Sequence, residues 1–337
     1  MARYEQSHAS IENPRLRVAA ALYAVMLAAF WLLAQRLSLG EQVGQMRTTF
    51  AAFALLFAPF WFFGFGADQP LRRILTSRAG RVFAPGSLAI PYLLYAIPQG
   101  EFRWTYLCAF LWIPIGVSAM FEFAPPGGMW PASPKFCWQD AVALAAFGLP
   151  IEFNWFRGAF PHDGLDSLPK LLIVDAALYA FLVVRGLEGV GYDFWPRLRD
   201  LAVGLRELAF FAPIVISLGM VLGFIKPHAA LPTIATVLSA LLATFFLVAI
   251  PEELFFRGLL QSLLEARIGR VRALWLSAAI FGLSHFNKPG PFNWRYVLLA
   301  TIAGVFYGRA WRDRRRLFPS ATTHTLVDVL WTLWFRK

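Results

Sequence analysis

Charge and cysteine are both scarce in this chain. Only 15% of its 337 residues are Asp, Glu, Lys or Arg, and Cys108 and Cys137 are its only cysteines. Soluble domains carry about a quarter charged residues, so this composition excludes a conventional soluble enzyme and a disordered chain alike. Two cysteines without metal-type spacing exclude a disulfide scaffold and argue against redox chemistry.

What the chain has instead is apolar residues, 58% of the total. They come in runs long enough to cross a bilayer, which makes this a polytopic membrane protein. The net charge is +11, from 31 Lys and Arg against 20 Asp and Glu. The basic residues sit in short clusters between apolar runs, such as Arg72, Arg73, Arg78 and Arg81, and Arg309, Arg312, Arg314, Arg315 and Arg316. Such clusters mark cytoplasmic loops, so the expected partner is the lipid bilayer and not nucleic acid. They also put the N-terminus in the cytoplasm, with the chain in the cell (inner) membrane.

The expected fold is all-α, a transmembrane helical bundle of about nine to eleven spanning or re-entrant helices around a polar intramembrane cavity. Candidate spans are 17–35, 48–66, 84–98, 103–121, 139–156, 168–184, 206–225, 232–262, 271–286, 295–311 and 319–335. The run at 84–98 is the weakest, because Pro85, Pro91 and Pro98 each disturb a helix. The first run is read as an anchor, since no small-residue cleavage site follows it. Breakers cluster in Ala124-Pro125-Pro126-Gly127-Gly128 and Pro161-His162-Asp163-Gly164. A polar seam near 185–205 divides a membrane region of unassigned role, 1–200, from a region 205–337 that holds nearly all the chemistry.

An ionisable side chain in hydrocarbon is a functional candidate by default, because its burial is costly. The clearest case is Pro251-Glu252-Glu253-Leu254-Phe255-Phe256-Arg257, inside an apolar run from Ala230 to Leu264. Glu253 and Arg257 are four apart and share a helix face. Glu252 is turned about 100° away and is free for other work. The plainer alternative is a loop with solvated charges. The second motif is Phe281-Gly282-Leu283-Ser284-His285, at the end of an apolar helix. The third is His324-Thr325-Leu326-Val327-Asp328, whose ionisable ends again share a face. With Gly269 as the turn of a hairpin, Glu252 and His285 lie at similar depth on antiparallel helices. His324 fits this depth less well, being only about 9 Å of helix past the Arg316 loop. The site then closes only if the hairpin tip projects into the cytosol or the last helix starts deep.

A desolvated carboxylate can act as a general base, one histidine can polarise a water, and a second can donate to an oxyanion. Together these suit attack of water on an amide or ester without a covalent intermediate.

The three motifs, Glu252-Glu253-x-x-x-Arg257, Phe281-x-x-x-His285 and His324-x-x-x-Asp328, occur in the order and spacing that resembles the CPBP family. These are the CAAX proteases and bacteriocin-processing enzymes, including type 2 CAAX prenyl endopeptidases. The resemblance covers about 205–337. It implies a CPBP-like catalytic helical core and a glutamate-dependent intramembrane protease that needs no cofactor. By the same resemblance, Glu252 activates water with His285 as partner, and His324 and Asp328 stabilise the oxyanion. Glu253 and Arg257 are then supporting residues. Prenyl-protein members often carry Asn where this chain has Asp328, and an ionised aspartate cannot donate a hydrogen bond. Its role is then to orient His324.

Three rivals stand beside this reading. A metal hydrolase would use Glu252, His285, His324 and Asp328 as ligands, although no His-Glu-x-x-His helix is present. A serine protease would use Ser284, which diverges by about 100° from His285 on a helix. A transporter or an assembly or immunity factor would keep the motifs for structure, with Asp175 as a further buried carboxylate. The expected substrate is a membrane-bound peptide or lipidated protein tail. Trp104, Trp112, Trp130, Trp138 and Trp155 are read as interface anchors or as a lipid-facing entrance. Oligomeric state is not legible in the sequence.

Overall fold

In hydrocarbon every backbone N–H and C=O must be satisfied within its own segment, so apolar runs fold as helices. The computed structural model describes residues 14–36, 43–128, 135–161, 167–229, 231–288, 290 and 292–335. Trp130 and the His162-Asp163-Gly164 breaker lie outside these residues. The first half contains α1 (Pro14–Arg36), α2 (Val43–Phe63), α3 (Asp68–Ile74), α4 (Arg78–Phe83), α5 (Ile90–Gln99), α6 (Trp104–Phe123), α7 (Trp138–Glu152) and α8 (Leu168–Leu178). The second half contains α9 (Leu198–Val221), α10 (Ile234–Thr244), α11 (Ile250–Glu253), α12 (Ser262–Ile268), α13 (Arg270–Leu283), α14 (Trp294–Arg314) and α15 (Leu317–Leu330). The described residues contain no strand, so the all-α expectation holds.

Among the described residues, five helices are long and apolar enough to cross a membrane: Pro14–Leu32, Gln45–Phe63, Trp104–Phe123, Leu198–Val221 and Ile234–Ile268. The other apolar runs form helices that are shorter or less apolar than these. The proline-rich run at 84–98 is helical after all. It forms a 3-10 turn at Ala84–Ala89 followed by α5, with Pro85 and Pro91 each in a first turn. A missing N–H costs nothing there, because the first turn has no partner for it. Trp104, Trp112, Trp138 and Trp155 all stand exposed on the surface. Cys108 and Cys137 are free thiols.

The long helix Ile234–Ile268 is continuous through α10, α11 and α12 but is widened at two π turns, Phe245–Ala249 and Leu254–Gln261. Pro251 accounts for the first, since its ring cannot donate to the preceding turn and crowds the carbonyl four residues back. These π turns flank Glu252 and Glu253 on both sides. Such bulges are common where a helix must aim a functional side chain.

Small residues let the helices of the second half approach closely, as membrane helix packing requires. A Cβ on Gly304 would lie 3.0 Å from the Ala278 backbone. A Cβ on Gly282 would lie 2.7 Å from the Val297 carbonyl oxygen and collide with the Thr301 hydroxyl. Gly282→Val is therefore expected to destabilise the protein by about 1–3 kcal/mol, read as a lowered Tm in detergent. An unchanged Tm would mean that α13 and α14 do not meet at this point.

The buried core is continuous through both halves, from Ala19 on α1 to Ala321 on α15. The segment between α8 and α9 straps across the second half. Its Val190 carbonyl accepts a 3.1 Å hydrogen bond from Trp311 Nε1, and its Gly191 carbonyl accepts one of 2.9 Å from the Leu317 backbone N–H.

Candidate active site

Helix α15 starts deep, which decides where His324 lies. Arg316, just before its first residue, is only 5% exposed. Its guanidinium reaches the Asp193 carboxylate at 2.7 Å and that of Asp200 at 2.9 Å. The basic loop is thus drawn into the protein, and eight residues on, His324 is level with the two glutamates. The hairpin before it turns where expected, at Gly269 with φ +83°. Glu252 and His285 accordingly face one cavity.

The two adjacent glutamates have different environments. Glu253 is fully buried and saturated with partners. Its carboxylate lies 2.8 Å from His324 Nδ1 and 3.2 Å from Arg257 Nε, and it accepts a hydrogen bond from the Ser320 hydroxyl. Arg257 is buried as well. It donates to the Gly304 carbonyl at 3.2 Å and lies over the Phe281 ring at 4.4 Å. The expected pairing of Glu253 and Arg257 along one face is thus present. One turn further along that face, Gln261 donates to the Gly308 carbonyl at 3.3 Å. Gly304 and Gly308 are four apart on α14, and each leaves a carbonyl open to the neighbouring helix.

Glu252 keeps 27% of its side chain exposed. It lines a cavity of about 270 Å³ together with His285, His324, Asp328, Tyr296, Tyr307, Lys170 and Lys288. Its Oε2 is 3.9 Å from His324 Nε2, and Asp328 Oδ2 is 3.4 Å from the same nitrogen. Both ring nitrogens of His324 therefore face carboxylates: Glu253 on one side, Asp328 and Glu252 on the other. Tyr307 stacks on this imidazole with ring centres 4.6 Å apart and planes within 16°.

His285 is held differently. Its Nδ1 is 2.8 Å from the Phe281 carbonyl oxygen, which can only accept, so Nδ1 carries the proton and Nε2 is left as the ring's acceptor. The Ser284 hydroxyl donates to the same carbonyl at 2.8 Å and lies 3.2 Å from His285 Nδ1. The expected 100° divergence of these neighbours does not hold, because α13 ends at Leu283 and the chain turns through both residues. The contact still gives Ser284 no base, since the nitrogen it meets is a donor.

All six residues singled out in the sequence are thus close together: Glu252, His285, His324 and Asp328 on the cavity wall, Glu253 and Arg257 behind it. Among the described residues, no three His, Cys, Asp or Glu side chains form a group that could hold a metal ion. Sequence reasoning missed Ser320, Tyr307 and Lys170. Ser320 was open to discovery, because it sits four residues before His324 and eight before Asp328 on the same helical face. Tyr307 gave no signal among so many aromatic residues.

No curated protein and no solved structure matches this chain. Residues 234–330 match one family, described as type II CAAX prenyl endopeptidase, Rce1-like. The matched segment contains Glu252, Glu253, Arg257, His285, His324 and Asp328, and leaves α1 to α9 outside. Over those residues, and there alone, the chain is similar to the Rce1-like CAAX prenyl endopeptidase domain.

Proposed function

We propose that this protein is an intramembrane endopeptidase in which Glu252 activates a water molecule against the peptide bond of a membrane-associated tail, without a metal ion. The observation that carries this reading is the division of labour between the two glutamates. Glu253 is spent on Arg257, Ser320 and His324, while Glu252 opens into the cavity. The match to a CAAX prenyl endopeptidase family supports a peptide substrate, with a lipidated protein tail as the natural class.

In the proposed reaction a water donates one hydrogen bond to Glu252 and the other to His285 Nε2, the acceptor that the Phe281 carbonyl leaves free. As its oxygen bonds to the carbonyl carbon, Glu252 takes its proton. Negative charge gathers on the former carbonyl oxygen and is met by the Nε2–H of His324. Glu253 fixes that ring from behind, and Asp328, an acceptor only, holds the N–H in place until the oxyanion replaces it. The C–N bond then breaks as Glu252 passes its proton to the leaving amine. The proposal includes a cytoplasmic N-terminus and residence in the cell membrane, which reporter fusions at the loops would test.

The experiment is peptidomics of cells carrying wild-type or Glu252→Gln protein, with Ser284→Ala as a third arm. One precursor is expected to accumulate uncleaved with Glu252→Gln and to be processed normally with Ser284→Ala. The serine reading requires the opposite. Unchanged peptidomes with properly inserted Glu252→Gln protein would favour the transporter or assembly-factor reading, for which the fully buried Asp175 is the supporting observation.

A further inference from the structure

Lys170 is a charge on the cavity wall that the chemistry above does not use. It belongs to α8, where every other residue is buried. Its side chain comes from outside the matched residues 234–330 and lines the same cavity as Glu252, His324 and Asp328. The cavity's other lysine, Lys288, is already held by Glu152 at the end of α7, at 3.0 Å. Among the described residues, no carboxylate lies within 4 Å of Lys170.

An ammonium in a mostly apolar wall is costly unless it meets an anion. The cavity's own carboxylates are occupied elsewhere: Asp328 sits on His324, and Glu252 is reserved for water. A peptide tail entering this space brings one obligatory anion, its terminal carboxylate. That group is repelled by Glu252 and Asp328, and it is favoured only where a cation offsets them. Resting on the endopeptidase reading above, we propose that Lys170 holds the free C-terminal carboxylate of the substrate. The chain then lies with its end at α8 and its scissile carbonyl at Glu252 and His324. Cleavage falls a fixed short way from the terminus, and the first half of the protein sets that distance.

Lys170 also attracts Glu252 across the cavity. A residue serving only that purpose would affect every substrate alike. A carboxylate anchor affects only substrates that end in a carboxylate, and this difference makes the test. The full-length Glu252→Gln protein, reconstituted in phosphatidylcholine vesicles, is titrated with a fluorescent S-farnesyl hexapeptide ending in either a free carboxylate or an amide. A charge-assisted contact of this kind predicts about 10- to 100-fold tighter binding of the acid. Lys170→Ala is expected to bring the acid to the affinity of the amide and leave the amide unchanged, and Lys170→Arg to keep the preference. Equal affinities for the two peptides, or a preference that survives Lys170→Ala, would overturn the proposal. Turnover by the Glu252 protein separates this from the reading beneath it. Acid-selective, Lys170-dependent binding without any Glu252-dependent cleavage keeps the anchor and sinks the hydrolase. Glu252-dependent cleavage indifferent to amidation does the reverse.

Discussion

Glu252→Gln is expected to lower kcat by about 10²–10⁴, the usual contribution of a general base, with KM nearly unchanged. The amide is nearly isosteric and can still hold a water, but it cannot take the proton. Structural damage should be slight, because Glu252 makes no short ion pair and more than a quarter of its side chain is exposed in the cavity. The neighbouring change gives the contrast. Glu253→Gln weakens the 3.2 Å pair with Arg257 and the clamp on His324, so it should lower both activity and stability. Purified variants in vesicles, assayed with a prenylated fluorogenic peptide and by melting in detergent, would separate the two. Equal loss of stability for both glutamates would contradict the division of labour.

Arg257→Met should have the largest effect on stability. The methionine replaces much of the stem packing against Phe281 but removes the guanidinium that faces Glu253 and the Gly304 carbonyl. Breaking a buried pair on one side leaves an uncompensated charge, at a cost of about 3–5 kcal/mol. Ser320 and His324 still reach Glu253, so the loss should fall toward the lower end of that range. The double change Glu253→Gln and Arg257→Met should recover part of it, since the stranded charge is gone. Chemical or thermal melts of the four proteins form the necessary cycle. Strict additivity would mean that the two side chains do not interact in the folded protein.

Much of the site was legible because helical periodicity is rigid. Four-residue spacing puts Glu253 with Arg257 and His324 with Asp328, and the hairpin at Gly269 brings Glu252 and His285 to one level. The depth of His324 was not legible. It depends on Arg316 being pulled inward by Asp193 and Asp200, which lie more than a hundred positions away in the chain. The sequence marks Glu253 as a supporting residue but does not show what it supports, because its contact with the imidazole of His324 spans 71 positions that no local pattern encodes. The helix at 84–98 is hard to see in the sequence because its three prolines read as breakers. Pro85 and Pro91 sit in first turns, which a proline count cannot tell from a helix interior, and only Pro98 lies inside α5, next to its last residue. Lys170 gives no signal in the sequence, because a single lysine beside Pro169 looks like a loop edge, and only the packing of α8 puts it on the cavity wall.

The central claim is that Glu252 and His324 act on one reacting centre. A kinetic double-mutant cycle tests this most directly, using single-turnover cleavage by Glu252→Gln, His324→Gln and the double variant, each confirmed folded by its melt. Residues that work as a unit give strongly non-additive losses. The double variant should therefore cleave within about threefold of the slower single variant. If the double loss equals the product of the two single losses, the residues act independently and the shared site proposed here does not exist.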